Sequence, residues 1–213
     1  MKTISQDKYL DWIRKAGTAL VVVSVLVLLF TFFPVIKEEA KYQFLPKPND
    51  VAVVTKEEAG EKSDVIYPVD EEFGIVIPKI SANAKVIADV NWQNSNEYHR
   101  ALTKGVAHAA GTAPPGEAGN VFIFSHSGVD FYEANRYNAL FYLLNKLAPG
   151  DEIDVFYKGQ KFVYRVSTQK IVASESVEYL TGDQTKKMLT LMTCWPAGTT
   201  LSRLIVIAEQ VEN

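Results

Sequence analysis

Two hydropathy regimes divide the chain. Residues 16–36 carry no charged side chain, a run of 21 positions that includes Val21-Val22-Val23 and Leu28-Leu29-Phe30. From residue 73 onward the apolar residues come instead in short runs rich in Val, Ile, Phe and Tyr, broken by turn-forming residues. The first pattern predicts a helix about 31 Å long, which matches the hydrocarbon core of a bilayer. The second predicts strands at 73–77, 84–88, 120–125, 152–157, 160–168, 189–193 and 203–209. Lys158-Gly159, between two of them, reads as a hairpin turn. Two segments are expected to be helices: 139–147, rich in Leu and stopped by Pro149-Gly150, and 94–102. Many short strands with few helices indicate an all-β barrel or sandwich.

The flanks of the apolar run give it a direction. Lys2, Lys8, Arg14 and Lys15 stand before it against Asp7 and Asp11, and Lys37, Glu38 and Glu39 follow it. The positive-inside bias puts the N-terminus in the cytoplasm. A cleaved signal peptide is the competing reading, but its apolar core is shorter and ends at a small-x-small site. The expected organisation is a cytoplasmic tail over 1–15, a transmembrane helix over 16–36, an extracytoplasmic linker over 37–72 and a folded domain over 73–213. That is a single-pass type II protein of the cytoplasmic membrane. Within the linker, lysines and acids alternate with Ala, Gly and Pro, as in 56–64, which reads as a solvated spacer. Leu45-Pro46-Lys47-Pro48 looks like half of a sorting signal but lacks the Thr-Gly, and reads as proline-stiffened linker.

Composition narrows the function. Hydrophobic residues make up 47% and charged residues 22%, a globular balance with a membrane segment added. A net charge of -3 gives no reason to expect nucleic acid as a partner. One cysteine and three histidines, His99, His108 and His126, show no ligand spacing, so no metal site and no cofactor are expected. The lone thiol of an outward-facing domain is either buried and inert or reactive.

That thiol, Cys194, closes the apolar run 189–193, and Arg203 opens the next run nine positions later. His126 follows another run, Val121-Phe122-Ile123-Phe124. Cys, His and Arg at three strand ends suit a nucleophile, a proton shuttle and an oxyanion or substrate clamp. A nearby imidazolium or guanidinium favours the thiolate form. Taken singly, each has a plainer reading: a buried small side chain for Cys194, a structural or surface histidine for His126, a solvated strand-edge charge for Arg203. Met192 and Trp195 read as packing residues.

The order of motifs resembles the sortases, membrane-anchored cysteine transpeptidases of bacteria. Phe73-Gly74-Ile75-Val76-Ile77-Pro78-Lys79-Ile80 is similar to the family's opening strand. Gly105-Val106-Ala107-His108, then Gly111-Thr112-Ala113-Pro114-Pro115-Gly116-Glu117-Ala118-Gly119-Asn120, is similar to the stretch leading to its catalytic histidine. Pro149-Gly150-Asp151-Glu152-Ile153 and Thr193-Cys194 with Arg203 complete the set. The resemblance implies an eight-stranded barrel that cuts an LPxTG-like C-terminal sorting signal through a thioacyl-enzyme. It implies transfer to an amine, either a cell-wall precursor or a pilin lysine. Cys194 is then the implied nucleophile, His126 the general acid/base and Arg203 the stabiliser, with His108, Thr193 and Trp195 as candidate substrate contacts. His126 sits in Ser125-His126-Ser127-Gly128 rather than the family's usual G-H-R or G-H-N. The spacing from Cys194 to Arg203 is closer to the pilin-building or accessory classes. Two other functions compete. An L,D-transpeptidase is disfavoured because Thr193 and Pro196 stand where its motif has Gly and Arg. A non-catalytic, membrane-tethered peptide-binding barrel shares the fold.

Overall fold

The computed structural model describes residues 6–44, 52–54, 65–127 and 140–211. Leu45-Pro46-Lys47-Pro48 and the charged run 56–64 lie outside the described residues. Among those described, helix α1 (Gln6–Phe44) is followed by β1 (Ala52–Val53), β2 (Val65–Ile66), β3 (Phe73–Ile77) and β4 (Ala82–Val90). Then come α2 (Ser95–Leu102), β5 (Val106–Ala109), β6 (Gly119–Phe124) and β7 (Glu152–Tyr157). The chain continues with β8 (Gln160–Ala173), β9 (Lys187–Trp195) and β10 (Ser202–Gln210).

Helix α1 forms one unit and is considered by itself. Its span Lys8–Phe30 is long and apolar enough to cross a membrane. Leu20, Val23 and Phe30 are all exposed, and the Ser24 hydroxyl donates back to the Leu20 carbonyl at 2.8 Å. A helix apolar on every side, with its hydroxyl satisfied internally, is suited to lipid rather than to water. The helix overruns the expected limits of 16–36 on both sides because the flanking Lys, Glu and Ala are themselves good helix formers.

The second unit is a closed barrel in the order β10-β8-β7-β3-β4-β5-β6-β9. Period-two alternation turns Val121, Ile123, Leu189, Leu191, Leu204 and Val206 to one face, where each is at most 3% exposed, and this face fills the barrel. The other face of β6 carries Phe122 and Phe124, which pack with Ala107, Ala109, Ala101 and Leu102 beneath α2. Lys158 and Gly159 both adopt positive φ, 51° and 76°, the geometry of a tight β7–β8 hairpin.

Three features differ from the sequence expectations. Strand β5 has no clear signal because Ala is a weak strand former; it is strand because Ala107 and Ala109 let α2 approach closely. The Leu-rich segment expected as a helix over 139–147 is a five-residue 3₁₀ turn, Tyr142–Lys146, with Leu143 and Leu144 buried. The region expected as a spacer up to residue 72 contributes β1 and β2, which pair in parallel. Val53 is buried against Val76, Phe156 and Ile66, and its carbonyl accepts from Lys161 Nζ at 2.8 Å. These runs are two residues long and apolar, too short for periodicity to reveal.

Beneath that ribbon lies Asp154 of β7, fully buried, with Lys161 Nζ 3.1 Å from its Oδ1. Burial pushes the Asp154 carboxyl up to about 6 against the pull of Lys161. An unfolded Asp releases its proton near pH 4, so between about pH 4 and 6 the folded state alone keeps it. The stabilisation from this group is therefore complete below pH 4 and lost as pH rises through 6. Asp154→Asn removes the titration. Relative to that variant, the wild type is expected to lose about 1–3 kcal/mol between pH 4 and pH 7 in unfolding measurements on the full chain in detergent. A difference that does not change with pH contradicts this.

Candidate active site

Strand β9 is bonded on both edges. On one side β6 runs parallel, with Phe124 opposite Met192. On the other β10 runs antiparallel, with Arg203 opposite Cys194. Two residues beyond the Phe124–Met192 pair, the same register brings His126 level with Cys194. Alternation puts Cys194 on the face of Met192 and Phe124, outside the barrel interior and under α2. With neighbouring strands about 4.8 Å apart, Cys194 and Arg203 are cross-strand neighbours, and His126, two residues past the end of β6, continues their row.

Hydrogen bonds keep the row in place. Ser125 N donates to Met192 O at 3.1 Å, which extends the β6–β9 pairing one residue past the end of β6. Thr193 faces the opposite way from Cys194, is buried, and its hydroxyl donates to Ser125 O at 3.0 Å. Gly198 N donates to Ser127 Oγ at 3.3 Å and ties the β9–β10 loop to the chain leaving β6. Arg203 Nη1 donates to the carbonyls of Thr200 at 3.2 Å and Ser202 at 3.1 Å. Its guanidinium thus folds over the turn from which β10 starts.

The row opens into a cleft of about 530 Å³. Trp92, Tyr98, Leu102, Phe122, Phe124 and Met192 supply an apolar wall, and Ser174, Ser176, Thr199 and Thr200 bring hydroxyls to it. His126, Cys194 and Arg203 all line it, each partly exposed. A partly exposed thiol beside an apolar groove can reach an extended peptide while the groove holds its side chains.

The loop between β8 and β9 forms one side of the cleft through Val177 and Leu180. Asn120, 1% exposed, holds it. Its Nδ2 donates to Tyr179 O at 2.8 Å and Leu180 O at 3.0 Å, and its Oδ1 accepts from the Thr190 hydroxyl at 2.8 Å. Gly182 lies against it with φ +56°, and a Cβ there would meet Asn120 Cβ at 2.9 Å.

Not every candidate belongs to the cleft. His108 is 3% exposed and absent from the lining. Its Nδ1 accepts from Asp89 N at 3.4 Å, while its Nε2 lies 3.1 Å from Ala113 O and 2.9 Å from Thr112 Oγ1. Burial lowers the affinity of this ring for a proton, only partly offset by the Ala113 bond and the Asp89 charge. It braces the loop before β6 from the inside and lies away from the cleft lining. Trp195 is half-buried and outside the lining, because alternation turns it to the face away from Cys194. Thr193 reaches the cleft wall but its side chain is spent on Ser125. Sequence reasoning passed over Asn120 as a strand start, and gave no role to Trp92, in the turn before α2, or to Tyr98 and His99, which a polar helix of eight residues does not announce.

Residues 75–211 match the family model of the Sortase domain. The chain is 24% identical over 159 residues to Sortase D of Bacillus subtilis (strain 168), covering 73% of this chain and 67% of that protein. Among solved structures it is similar to sortase C-1 from Actinomyces oris, with 29% identity, TM-score 0.57, and 68% and 76% of the two chains covered. It is also similar to a lid mutant of sortase A from Corynebacterium diphtheriae, with 28% identity, TM-score 0.55 and 68% and 72% covered.

Removing the Asn120 amide leaves the Thr190 hydroxyl and two loop carbonyls without their buried partner. Asn120→Ala is expected to cost about 2–3 kcal/mol, a drop of ~4–10 °C in melting temperature. A drop below 2 °C in a thermal scan shows that the loop is held otherwise.

Proposed function

The chain belongs to the sortase family, and from that premise we propose that it cuts an LPxTG-like C-terminal sorting signal through a thioacyl-enzyme on Cys194. Family and fold make it a sortase-type transpeptidase; the residue roles and substrates are this reading's own. One observation carries it. Cys194 is the cross-strand neighbour of Arg203, and His126, two residues past the last β6–β9 pair, lines the same groove with its apolar wall.

The chemistry follows from the order of the row. The Cys194 thiolate attacks the Thr–Gly carbonyl of the signal, and the carbonyl oxygen gains charge beside Arg203, which is cationic at any working pH. To meet it, the guanidinium exchanges one of its bonds to Thr200 or Ser202 for the oxyanion. His126, on the other side of the sulfur, gives its proton to the leaving glycine nitrogen as the C–N bond breaks. The acyl group stays on sulfur until an amine attacks the thioester. That amine passes a proton to His126, and Cys194 leaves as thiolate. The amine is a cell-wall precursor or a pilin lysine, and α1 anchors the barrel to the outer face of the cytoplasmic membrane as a type II protein.

The test uses the full chain in detergent, a pooled library of LPxTG-like peptides and hydroxylamine, read by mass spectrometry. A thioacyl adduct on Cys194 and a peptide hydroxamate are expected. Cys194→Ala abolishes both, and Arg203→Ala lowers turnover roughly 10²–10³-fold with the fold intact. A folded chain with an unreactive thiol would instead be a peptide-binding module.

A further inference from the structure

We propose that the chain pieces 52–54 and 65–70 form a detachable strap: docked on a barrel wall remote from the cleft, it shortens the tether between α1 and the barrel, and lifted, it lengthens that tether. Neither state touches the cleft, so the strap does not depend on the chemistry assigned to Cys194.

The strap lies over the outward faces of β3 and β7, where Val53 and Ile66 pack on Val76 and Phe156. Side chains from the two flanking strands tie its backbone. From β8, Lys161 Nζ donates to Val53 O at 2.8 Å. From β4, the Asn83 amide meets the strap as the edge of a further strand would. Its Oδ1 accepts from Val69 N at 2.9 Å, and its Nδ2 donates to Tyr67 O at 2.7 Å. Asp70 Oδ2 pairs with Lys85 Nζ at 2.7 Å, while its Oδ1 accepts from Glu72 N and Phe73 N and turns the chain into β3. In the closed strand order, at least two strands separate β3 and β7 from β9 on either side. Strap and cleft therefore occupy different walls.

The strap is held lightly, and one buried group opposes it. Val53 and Ile66 supply its apolar contact, whereas Tyr67 and Val69 are 41% and 68% exposed. Beneath it Asp154 is 0% exposed, and neither of its carboxylate oxygens accepts a hydrogen bond of good geometry. Lys161 Nζ, 3.1 Å from Asp154 Oδ1, is shared: the same ammonium holds Val53 O and offsets the carboxyl. A buried carboxyl without well-formed hydrogen bonds is costly, and lifting the strap returns it to water. A segment with a small apolar contact over a group that gains from solvation opens locally, well before the barrel does. With the strap docked, the tether is the chain between Phe44 and Ala52, at most about 27 Å long. With it lifted, the tether runs to Phe73 and reaches at most about 100 Å.

Hydrogen exchange followed by mass spectrometry on the full chain in detergent separates the two states. Strap amides are expected to exchange at least ~10-fold faster than those of β3 and β7, which open only with the barrel. Lys161→Met removes the donor to Val53 O and leaves Asp154 buried without a cation. It is expected to speed strap exchange a further ~10-fold, with β3 and β7 unchanged. Adding Asp154→Val to Lys161→Met replaces the pair by apolar groups, and strap exchange is expected to return to the wild-type rate or below. For the tether, the single cysteine carries a donor dye, and the chain is placed in phosphatidylcholine–phosphatidylglycerol vesicles holding a headgroup-labelled acceptor lipid. Energy transfer is expected to fall in Lys161→Met and to recover in the double variant. Iodoacetamide alkylation of unlabelled Cys194 is expected to stay within about twofold of wild type in both, as an unchanged cleft requires. Strap amides that exchange only together with β3 and β7 overturn the proposal, as does a double variant as loose as Lys161→Met. Faster strap exchange with unchanged energy transfer also overturns it, because the tether has then not lengthened. These readouts use no sorting signal, so a failed peptide assay does not bear on them.

Discussion

Strand β9 is hydrogen-bonded to a parallel neighbour on one edge and an antiparallel neighbour on the other, and the candidate chemistry depends on that pairing. Parallel pairing with β6 carries His126, two residues past the end of β6, to the level of Cys194 near the end of β9. Antiparallel pairing with β10 makes that strand begin where β9 ends, which brings in Arg203. A slip of one residue would turn Thr193 to the cleft and Cys194 into the barrel. Leu189 and Leu191 in the interior, with the Thr190–Asn120 and Thr193–Ser125 bonds, oppose such a slip. Each bond is worth about 1 kcal/mol, but each is buried, so breaking either leaves unpaired polar groups at greater cost.

The barrel separates stability from reactivity by face. Inward side chains are mainly aliphatic and buried, with His108, Tyr164 and Thr193 enclosed among them. Outward side chains of the same strands meet α2 and the β8–β9 loop, and the space left between these layers is the cleft. Asn120 shows how the two tasks meet: a core position on β6 carries the hydrogen bonds that hold a cleft wall. His108 shows the reverse, a residue type suited to chemistry used as a neutral brace because burial removes its charge.

Much of this was legible in the sequence because the runs that matter are long enough to show a period. β3 and β7 run as read, and the apolar run before Cys194 and the run from Arg203 are strands. The eighth strand was not legible from pattern, since Val106-Ala107-His108-Ala109 holds a single strong strand former, Val106, and acquires its role from the helix above it. The linker ribbon was hidden because two-residue apolar runs carry no periodicity. At the site, Cys194 and Arg203 could be singled out by type and strand position. His99 could not, because its stacking contact with His126 is made across the fold. Trp195 is next to Cys194 in sequence but outside the cleft lining, because neighbours along a strand point to opposite faces.

The most direct measurement is a crystal structure of the full chain bound covalently to a sorting-signal peptide ketone, with the ketone in place of the Thr–Gly carbonyl. The account predicts a bond to Cys194 Sγ, the former carbonyl oxygen within hydrogen-bond reach of the Arg203 guanidinium, and His126 on the side where the glycine would leave. An adduct whose oxygen points away, with Arg203 still bonded to Thr200 and Ser202 and His126 remote from the leaving side, would contradict it.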